Sequence, residues 1–278
     1  MEVVRQIDSL KALRPSWPRP VGLVPTMGYL HDGHLSLVRR ARTENATVVV
    51  SIFVNPTQFG PAEDISSYPR NLGRDLEFLE REGADVVFAP SASEMYPRGY
   101  STWVNVEGIT SRLEGASRPG HFCGVATVCN KLFNVVAAER VYFGQKDAQQ
   151  VAVITKMVHD LNMNLDIVVV PTVREPDGLA MSSRNAYLGP EERVAARVLY
   201  RALRRAGDMR REGCLDAALV RERMADVVRS EPLASLDYAT VVAPGSFEEL
   251  ESMDGPALAV IAVRIGSTRL IDNMPLLD

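Results

Sequence analysis

Short, continuous runs of apolar residues, rich in β-branched side chains, alternate with helical patterns in the first part of the chain, and this alternation constrains the fold more than any other feature. The strongest run is residues 47–54 (TVVVSIFV). The other strand-like runs are residues 21–25, 85–89, 140–143 and 166–173. Strands that lack polar alternation are buried on both faces, so the pattern predicts a doubly wound α/β fold around a parallel sheet. Ligands of such sheets bind at the carboxyl ends of the strands.

The pattern changes after about residue 185. One long helix is predicted to begin at Pro190 and a second to cover residues 215–229, followed by three strand-like runs at residues 238–243, 257–263 and 268–271. The long helix is expected to carry one apolar row of Val194, Val198 and Ala202. Helices followed by mostly antiparallel strands predict a smaller C-terminal α+β domain, so we place the domains at residues 1–175 and 176–278.

Charge and composition narrow the class of partner. Lys and Arg number 31 against 35 Asp and Glu, a net charge of −4, so the chain lacks the basic field of a nonspecific nucleic-acid binder and favours a small-molecule partner. Its apolar runs are far shorter than the ~20 residues of a membrane span, and its charged start does not resemble a signal peptide. We therefore expect a cytoplasmic protein with no membrane or nucleic-acid partner. Three cysteines without C-x-x-C spacing predict buried free thiols.

The loop after the first predicted strand reads P-T-M-G-Y-L-H-D-G-H and places His31 and His34 where a helix begins. A helix N-terminus offers free N–H groups and a positive dipole, so the loop predicts a phosphate site, with Gly28 and Gly33 allowing a ligand to approach the backbone. Two histidines that merely cap the helix are the alternative. A zinc site is the weaker interpretation because no third ligand is signalled.

Three further loops carry polar groups, each with an ordinary structural alternative. Residues 55–59 (N-P-T-Q-F) offer amides to an uncharged substrate or form a plain turn, and residues 143–147 (F-G-Q-K-D) offer a tight turn at Gly144 with Lys146 and Asp147, or a capped helix. Residues 181–184 (M-S-S-R) form a phosphate cradle or a polar linker. Asp64, Asp75 and Glu77 are possible Mg²⁺ ligands, but a charged helix surface is the commoner explanation. Together the loops indicate a nucleotide and attack on a phosphorus.

The motifs P-T-M-G-x-L-H-x-G-H, S-I-F-V-N-P-x-Q-F, R-P-G-H-F-x-G-V, F-G-Q-K-D-x-Q-Q and A-M-S-S-R-N occur in order between residues 24 and 188. In these motifs the sequence closely resembles the pantoate–β-alanine ligase family of the H-x-G-H nucleotidyltransferases. The resemblance implies a Rossmann-like nucleotidyltransferase fold, a homodimer, and a C-terminal domain that partly covers the active site. It also implies a two-step reaction, in which pantoate and Mg²⁺-bound ATP give pantoyl adenylate and β-alanine then gives pantothenate and AMP.

The resemblance assigns roles residue by residue. His31 and His34 would hold the phosphates, with His34 at the position of a proton donor, and Lys146 would bind phosphate with Asp147 toward the ribose. Gln58 and Gln150 would bind pantoate, Gln58 also β-alanine, and Asn55 joins this substrate set. The catalytic set is His31, His34, Lys146, Ser182, Ser183 and Arg184, and the nucleotide set adds Met27, Gly28, Gly33, Gly144, Gln145, Asp147, Val173 and Met181.

Three other functions compete with this one. Another adenylate-forming enzyme of the same fold would keep the histidine pair but need not keep both Gln58 and Gln150. A nucleotide-binding regulator would be expected to lack a histidine or Lys146. An RNA-charging enzyme would need a basic face and an anticodon-binding extension, and the sequence signals neither.

Overall fold

A computed structural model describes residues 1–60 and 65–276 and divides the chain into two compact units. The first comprises Met1–Gly144 and Val153–Pro171, and the second comprises Gln145–Ala152 and the chain from Thr172 onwards. The proposed domain division at residues 175/176 stays a prediction. Asp64 lies outside the described residues.

The described part of the first unit is built on a parallel sheet of six strands in the order β1-β4-β3-β2-β5-β6. The strands are β1 (Glu2–Val4), β2 (Val21–Thr26), β3 (Thr47–Ile52), β4 (Val86–Phe88), β5 (Arg140–Gly144) and β6 (Asp166–Val170). β2 and β3 pair in register from Val21 opposite Thr47 to Thr26 opposite Ile52. The predicted doubly wound parallel sheet is confirmed.

Helices flank this sheet and supply its core. They are α1 (Ile7–Leu13), α2 (Asp32–Glu44), α3 (Leu72–Arg81), α4 (Ala92–Met95), α5 (Glu114–Ser117), α6 (His121–Val136) and α7 (Ala148–Asp160), the last of which begins in the second unit. Buried Leu35, Val38 and Ala41 of α2 pack with Val24 and Val50 of the sheet. Their helical spacing gives α2 one apolar face, which packs on the sheet.

The second unit contains α8 (Pro190–Ala195), α9 (Val198–Arg211) and α10 (Ala217–Arg229) with an antiparallel sheet of β7 (Ala234–Val242), β8 (Ala257–Ile265) and β9 (Thr268–Leu276). Leu199 and Leu203 of α9 pack with Val220 of α10 and with Ile261 and Val263 of β8 in one buried cluster. The smaller α+β domain predicted from the sequence is therefore present in this part of the chain.

The predicted single helix from Pro190 is wrong. The N–H groups of Arg197 and Leu199 donate to the carbonyls of Val194 and Ala196, three residues earlier in each case. A three-residue turn rotates the following side chains out of α-helical phase, so α8 and α9 are separate helices. Val194 is accordingly 55% exposed, whereas Val198 is buried, and the predicted apolar row does not exist.

Smaller predictions also need correction. The predicted strands at residues 47–54 and 166–173 end early, at Ile52 and Val170, because the chain there turns into loops. All three cysteines are free, as expected, but only Cys129 is buried, and burial raises the pKa of its thiol to about 12. Among residues 1–60 and 65–276, no helix is long and apolar enough to cross a membrane.

Candidate active site

The loop that follows β2 leaves the sheet where the strand order reverses. β2 pairs with β3 on one side and with β5 on the other. The carboxyl ends of two strands that lead to opposite halves of a doubly wound sheet form its usual ligand-binding crevice. The structure therefore places Met27, Gly28 and the histidine pair at the expected end of β2.

A buried carboxylate fixes the shape of this loop. Asp75 of α3 accepts hydrogen bonds from the backbone N–H groups of Tyr29 (2.7 Å) and Leu30 (2.8 Å). Gly28 has φ +80°, and a Cβ there would lie 3.0 Å from Asp75 Oδ2, so the turn requires glycine. Burial raises the pKa of Asp75, and the two N–H groups oppose that rise by stabilising the ionised form.

The two histidines build the N-terminus of α2. His31 is the N-cap, and its Nδ1 accepts from the Gly33 N–H at 3.2 Å, while His34 Nδ1 lies 3.4 Å from the His31 N–H. The rings are close, with centroids 4.1 Å apart. Because each Nδ1 acts as an acceptor, the proton of each neutral ring resides on Nε2. The capping alternative is thus correct in geometry.

The segment that follows β3, residues 55–59, is bound by α6. Asn55 Nδ2 donates to Gln58 Oε1 and to the Gly124 carbonyl, each at 3.1 Å, and its side chain is buried. The Gln58 carbonyl lies 2.8 Å from His121 Nδ1. A Cβ on Gly124 would approach the Thr57 carbonyl oxygen to 2.4 Å, so only glycine permits this contact. The backbone of this segment forms the turn that the alternative interpretation predicts. Its contacts with α6 fix the position of Gln58.

The Gln58 side chain contacts the loop between β2 and α2, which contains Met27, Gly28 and His31. Its Nε2 donates to Met27 Sδ at 3.1 Å, which brings two predicted site residues from different loops together. A thioether is a weak hydrogen-bond acceptor, so this N–H can be transferred to a substrate oxygen at little cost.

The second unit carries the remaining predicted residues except Gly144, which ends the first segment of the first unit. Gln145, Lys146 and Asp147 form one turn of 3₁₀ helix, with Lys146 Nζ 3.6 Å from Asp147 Oδ1. The carbonyls of Gln145 and Lys146 accept hydrogen bonds from the Asn273 side chain of β9. The turn expected at Gly144 follows it directly, but the turn does not require glycine, because Gly144 has no positive φ and a Cβ on it would meet open space.

The M-S-S-R segment, residues 181–184, is also in the second unit. Specific hydrogen bonds hold it in place. The Met181 N–H donates to the Val173 carbonyl at 3.0 Å, which joins two predicted nucleotide residues. Ser182 caps the 3₁₀ helix Ser183–Tyr187 by accepting from the Arg184 N–H at 3.3 Å. Ser183 is buried. Gln150 lies in the first turn of α7 and is half-buried.

Sequence reasoning misses Asp75, His121 and Asn273, which hold the predicted residues in place. The interpretation of Asp75 as surface charge is wrong, because the residue is 1% exposed. Its spacing from Leu72, Leu76 and Leu79 puts it on the apolar stripe of α3, and this is the signal that could have revealed it. Glu77, by contrast, is exposed. In the described part of the chain, no cluster of three His, Cys, Asp or Glu side chains could hold a metal ion.

A family model for pantoate-beta-alanine ligase matches residues 2–275. The chain belongs to that family. Pantothenate synthetase of Roseiflexus castenholzii is 58% identical over 98% of both chains, and that of Acetivibrio thermocellus is 56% identical over 99% of both.

Solved structures agree with the family assignment. Pantothenate synthetase from Thermus thermophilus covers 100% of both chains at 48% identity with a TM-score of 0.96. The pantoate-beta-alanine ligase from Francisella tularensis, complexed with beta-gamma ATP and beta-alanine, matches 99% of this chain and 98% of its own at 35% identity with a TM-score of 0.82. The resemblance in the sequence motifs is therefore confirmed at the level of family and fold.

Proposed function

We propose that this chain joins pantoate to β-alanine with consumption of ATP, through a pantoyl-adenylate intermediate. The observation that carries the proposal is the N-terminus of α2, which is built from His31 and His34 at the point where the strand order of the sheet reverses. Membership of the pantoate-beta-alanine ligase family supports the overall reaction. The Francisella relative, complexed with an ATP compound and beta-alanine, supports ATP and β-alanine as substrates.

In the first step a pantoate carboxylate oxygen forms a bond to the α-phosphorus of ATP, and the bond from that phosphorus to the bridging oxygen breaks to release pyrophosphate. Negative charge grows on the phosphoryl oxygens and on the leaving group. The α2 N–H groups and the His31 and His34 Nε2–H donors would stabilise this charge more in the transition state than in the ground state. Lys146, Ser182, Ser183 and Arg184 would supply further donors to the phosphates.

In the second step the β-alanine amine attacks the acyl carbon of pantoyl adenylate, AMP leaves, and the new amide nitrogen loses a proton. Gln58 is our candidate ligand for both pantoate and β-alanine because its Nε2 donates to a weak sulfur acceptor, the Met27 thioether. Gln150 is the second pantoate ligand. Asn55 uses its amide on Gln58 and Gly124, so substrate binding by Asn55 itself stays a prediction.

The remaining nucleotide contacts, the metal and the assembly are also proposals. Met27, Gly28, Gly33, Gly144, Gln145, Asp147, Val173 and Met181 form the proposed ATP-contacting set. Mg²⁺ would arrive with ATP, since this ion is commonly held by substrate phosphates and few protein carboxylates. We further propose a cytoplasmic homodimer that acts on small molecules and has no nucleic-acid partner.

Product analysis tests the reaction as a whole. We expect pantothenate, AMP and pyrophosphate in equal amounts only when pantoate, β-alanine and ATP are all present with Mg²⁺. Release of ADP, or equal turnover of unrelated acids in place of pantoate, would contradict the proposal and favour another adenylate-forming or phosphorylating enzyme.

Lys146→Ala tests the phosphate assignment. We expect a large loss of adenylation with an unchanged melting temperature, because the Lys146 ion pair is a long, partly exposed contact to Asp147. Lys156→Ala is the matched control, since Lys156 forms an exposed i,i+4 pair with Asp160 and has no proposed role. Equal turnover of the two variants would remove Lys146 from the catalytic set.

A further inference from the structure

Asn273 of β9 uses its whole amide group on the segment that carries Lys146. Its Nδ2 donates to the carbonyls of Gln145 and Lys146, each at 2.9 Å, and its Oδ1 accepts from Gln145 Nε2 at 2.9 Å. The residue is 4% exposed. Both amide hydrogens and the amide oxygen therefore have protein partners, and all three bonds converge on two consecutive residues of the 3₁₀ turn.

The neighbouring residue secures Asn273 in turn. Asp272 is buried and accepts two hydrogen bonds from the Arg174 guanidinium, at 2.6 and 3.0 Å, and a third from the Asn273 backbone N–H at 2.8 Å. Burial raises the pKa of Asp272, while the Arg174 charge opposes that rise. Such a bidentate pair, together with the backbone bond, limits movement of β9 at Asn273.

We propose that Asn273 is a positioning residue for adenylation, which fixes the backbone of Gln145 and Lys146 and thereby places the Lys146 ammonium against the phosphates. The inference rests on the proposed role of Lys146. Asn273 is a positioning rather than a catalytic residue, because within residues 1–60 and 65–276 its amide group bonds the Gln145 and Lys146 carbonyls and the Gln145 side chain. A displacement of ~1 Å in a catalytic group can cost ~10²-fold in rate, so the hydrogen bonds that hold the Gln145 and Lys146 carbonyls are of consequence for turnover.

The choice of side chain makes the proposal specific. Two carbonyl oxygens and one amide N–H surround the Asn273 side chain, and only an amide offers two donors with one acceptor in that space. In Asn273→Asp, a carboxylate would face two carbonyl oxygens and lose both donor bonds. Asn273→Ser keeps one donor and is expected to have an intermediate effect.

A double-mutant cycle with Lys146 tests the inference, with single-turnover formation of pantoyl adenylate as the readout. We expect Asn273→Ala to slow adenylation by ~10²-fold. In a Lys146→Ala background the same change should have little further effect, because the group that it positions is gone. A purely structural role would instead slow both backgrounds by the same factor, and that result would overturn the inference.

Two controls separate the causes of failure. Asn45→Ala also removes a buried amide with two Nδ2 bonds, to the Ala41 carbonyl and the Tyr142 hydroxyl, and should lower the melting temperature without slowing adenylation. If Asn273→Ala does not fold, Asn273→Ser serves in the same cycle. A Lys146→Ala variant with wild-type rates would refute the proposed role of Lys146 itself. An impaired Lys146→Ala with an unimpaired Asn273→Ala or Asn273→Ser would refute only the positioning role.

Discussion

Replacing His34 by alanine removes two contributions that differ in size. The first is the helix cap, in which His34 Nδ1 lies 3.4 Å from the His31 N–H. A lost cap costs about 0.5–2 kcal/mol, and this long contact belongs at the low end of that range, because His31 still accepts from the Gly33 N–H. The second is the proposed donor to the phosphates, whose loss lowers turnover by ~10²–10³-fold, or about 2.7–4 kcal/mol.

Of the two losses, that of the phosphate donor is the larger, and it lowers the rate of adenylation rather than the stability of the fold. We therefore expect His34→Ala to fold with a small drop in melting temperature and to form pantoyl adenylate ~10²–10³-fold more slowly. The affinity for ATP should change less, since the donor acts mainly on charge that develops in the transition state. Rapid-quench measurement of adenylate formation and thermal melting on the same preparation give both quantities.

A matched pair of variants isolates the cap. Glutamate is an ordinary partner in a capping box at this helix position and carries no N–H donor, so His34→Glu should restore stability while adenylation stays slow. Asp216→Ala removes the N-cap of α10, where Asp216 accepts from the Leu219 N–H at 3.0 Å, and should lower stability without slowing adenylation. Recovery of the wild-type adenylation rate in His34→Glu would refute the phosphate role and leave His34 as a cap.

Three further expectations follow from packing and charge. Gly124→Ala should raise KM for pantoate several-fold more than KM for ATP, because its Cβ would force back the Thr57 carbonyl from 2.4 Å, and equal KM values would contradict this. The hydrogen bond from the Tyr142 hydroxyl lowers the pKa of Glu44 from its usual 4.5, so Glu44→Gln should melt below the wild type at pH 7. That gap should close as the pH falls through the lowered pKa, and a gap independent of pH would refute the assignment. Leu203→Ala should reduce the free energy of unfolding by about 2–5 kcal/mol, measured by denaturant titration, because Leu203 is fully buried in α9.

Local patterns in the sequence are sufficient to predict most of the sheet and its helices. The uninterrupted apolar run of β3 acts through near neighbours, and so does Asn71, which accepts from the Arg74 N–H as the N-cap of α3. The interruption between α8 and α9 depends on two hydrogen bonds that each join residues three positions apart. The helix propensities of these residues do not predict such bonds. Periodicity alone therefore places Val194 on the wrong face.

The residues proposed to contact ligands are predictable from the sequence. The residues that hold them in place are not. His31, Gln58 and Lys146 lie in motifs that can be identified within about ten residues of sequence. Asp75 bonds a loop 45 residues away, and Asn273 bonds a backbone 127 residues away. Such long-range partners follow from tertiary packing, and a single sequence carries no direct signal for them.

Pantoate-dependent exchange of labelled pyrophosphate into ATP, measured without β-alanine, tests the central claim most directly. A carboxylate that attacks the α-phosphorus reversibly releases pyrophosphate before any amine is needed. The account predicts exchange that requires pantoate, is absent with ATP alone, and falls in His34→Ala and Lys146→Ala together with pantothenate synthesis. No exchange in an enzyme that still makes pantothenate from all three substrates would contradict the two-step mechanism.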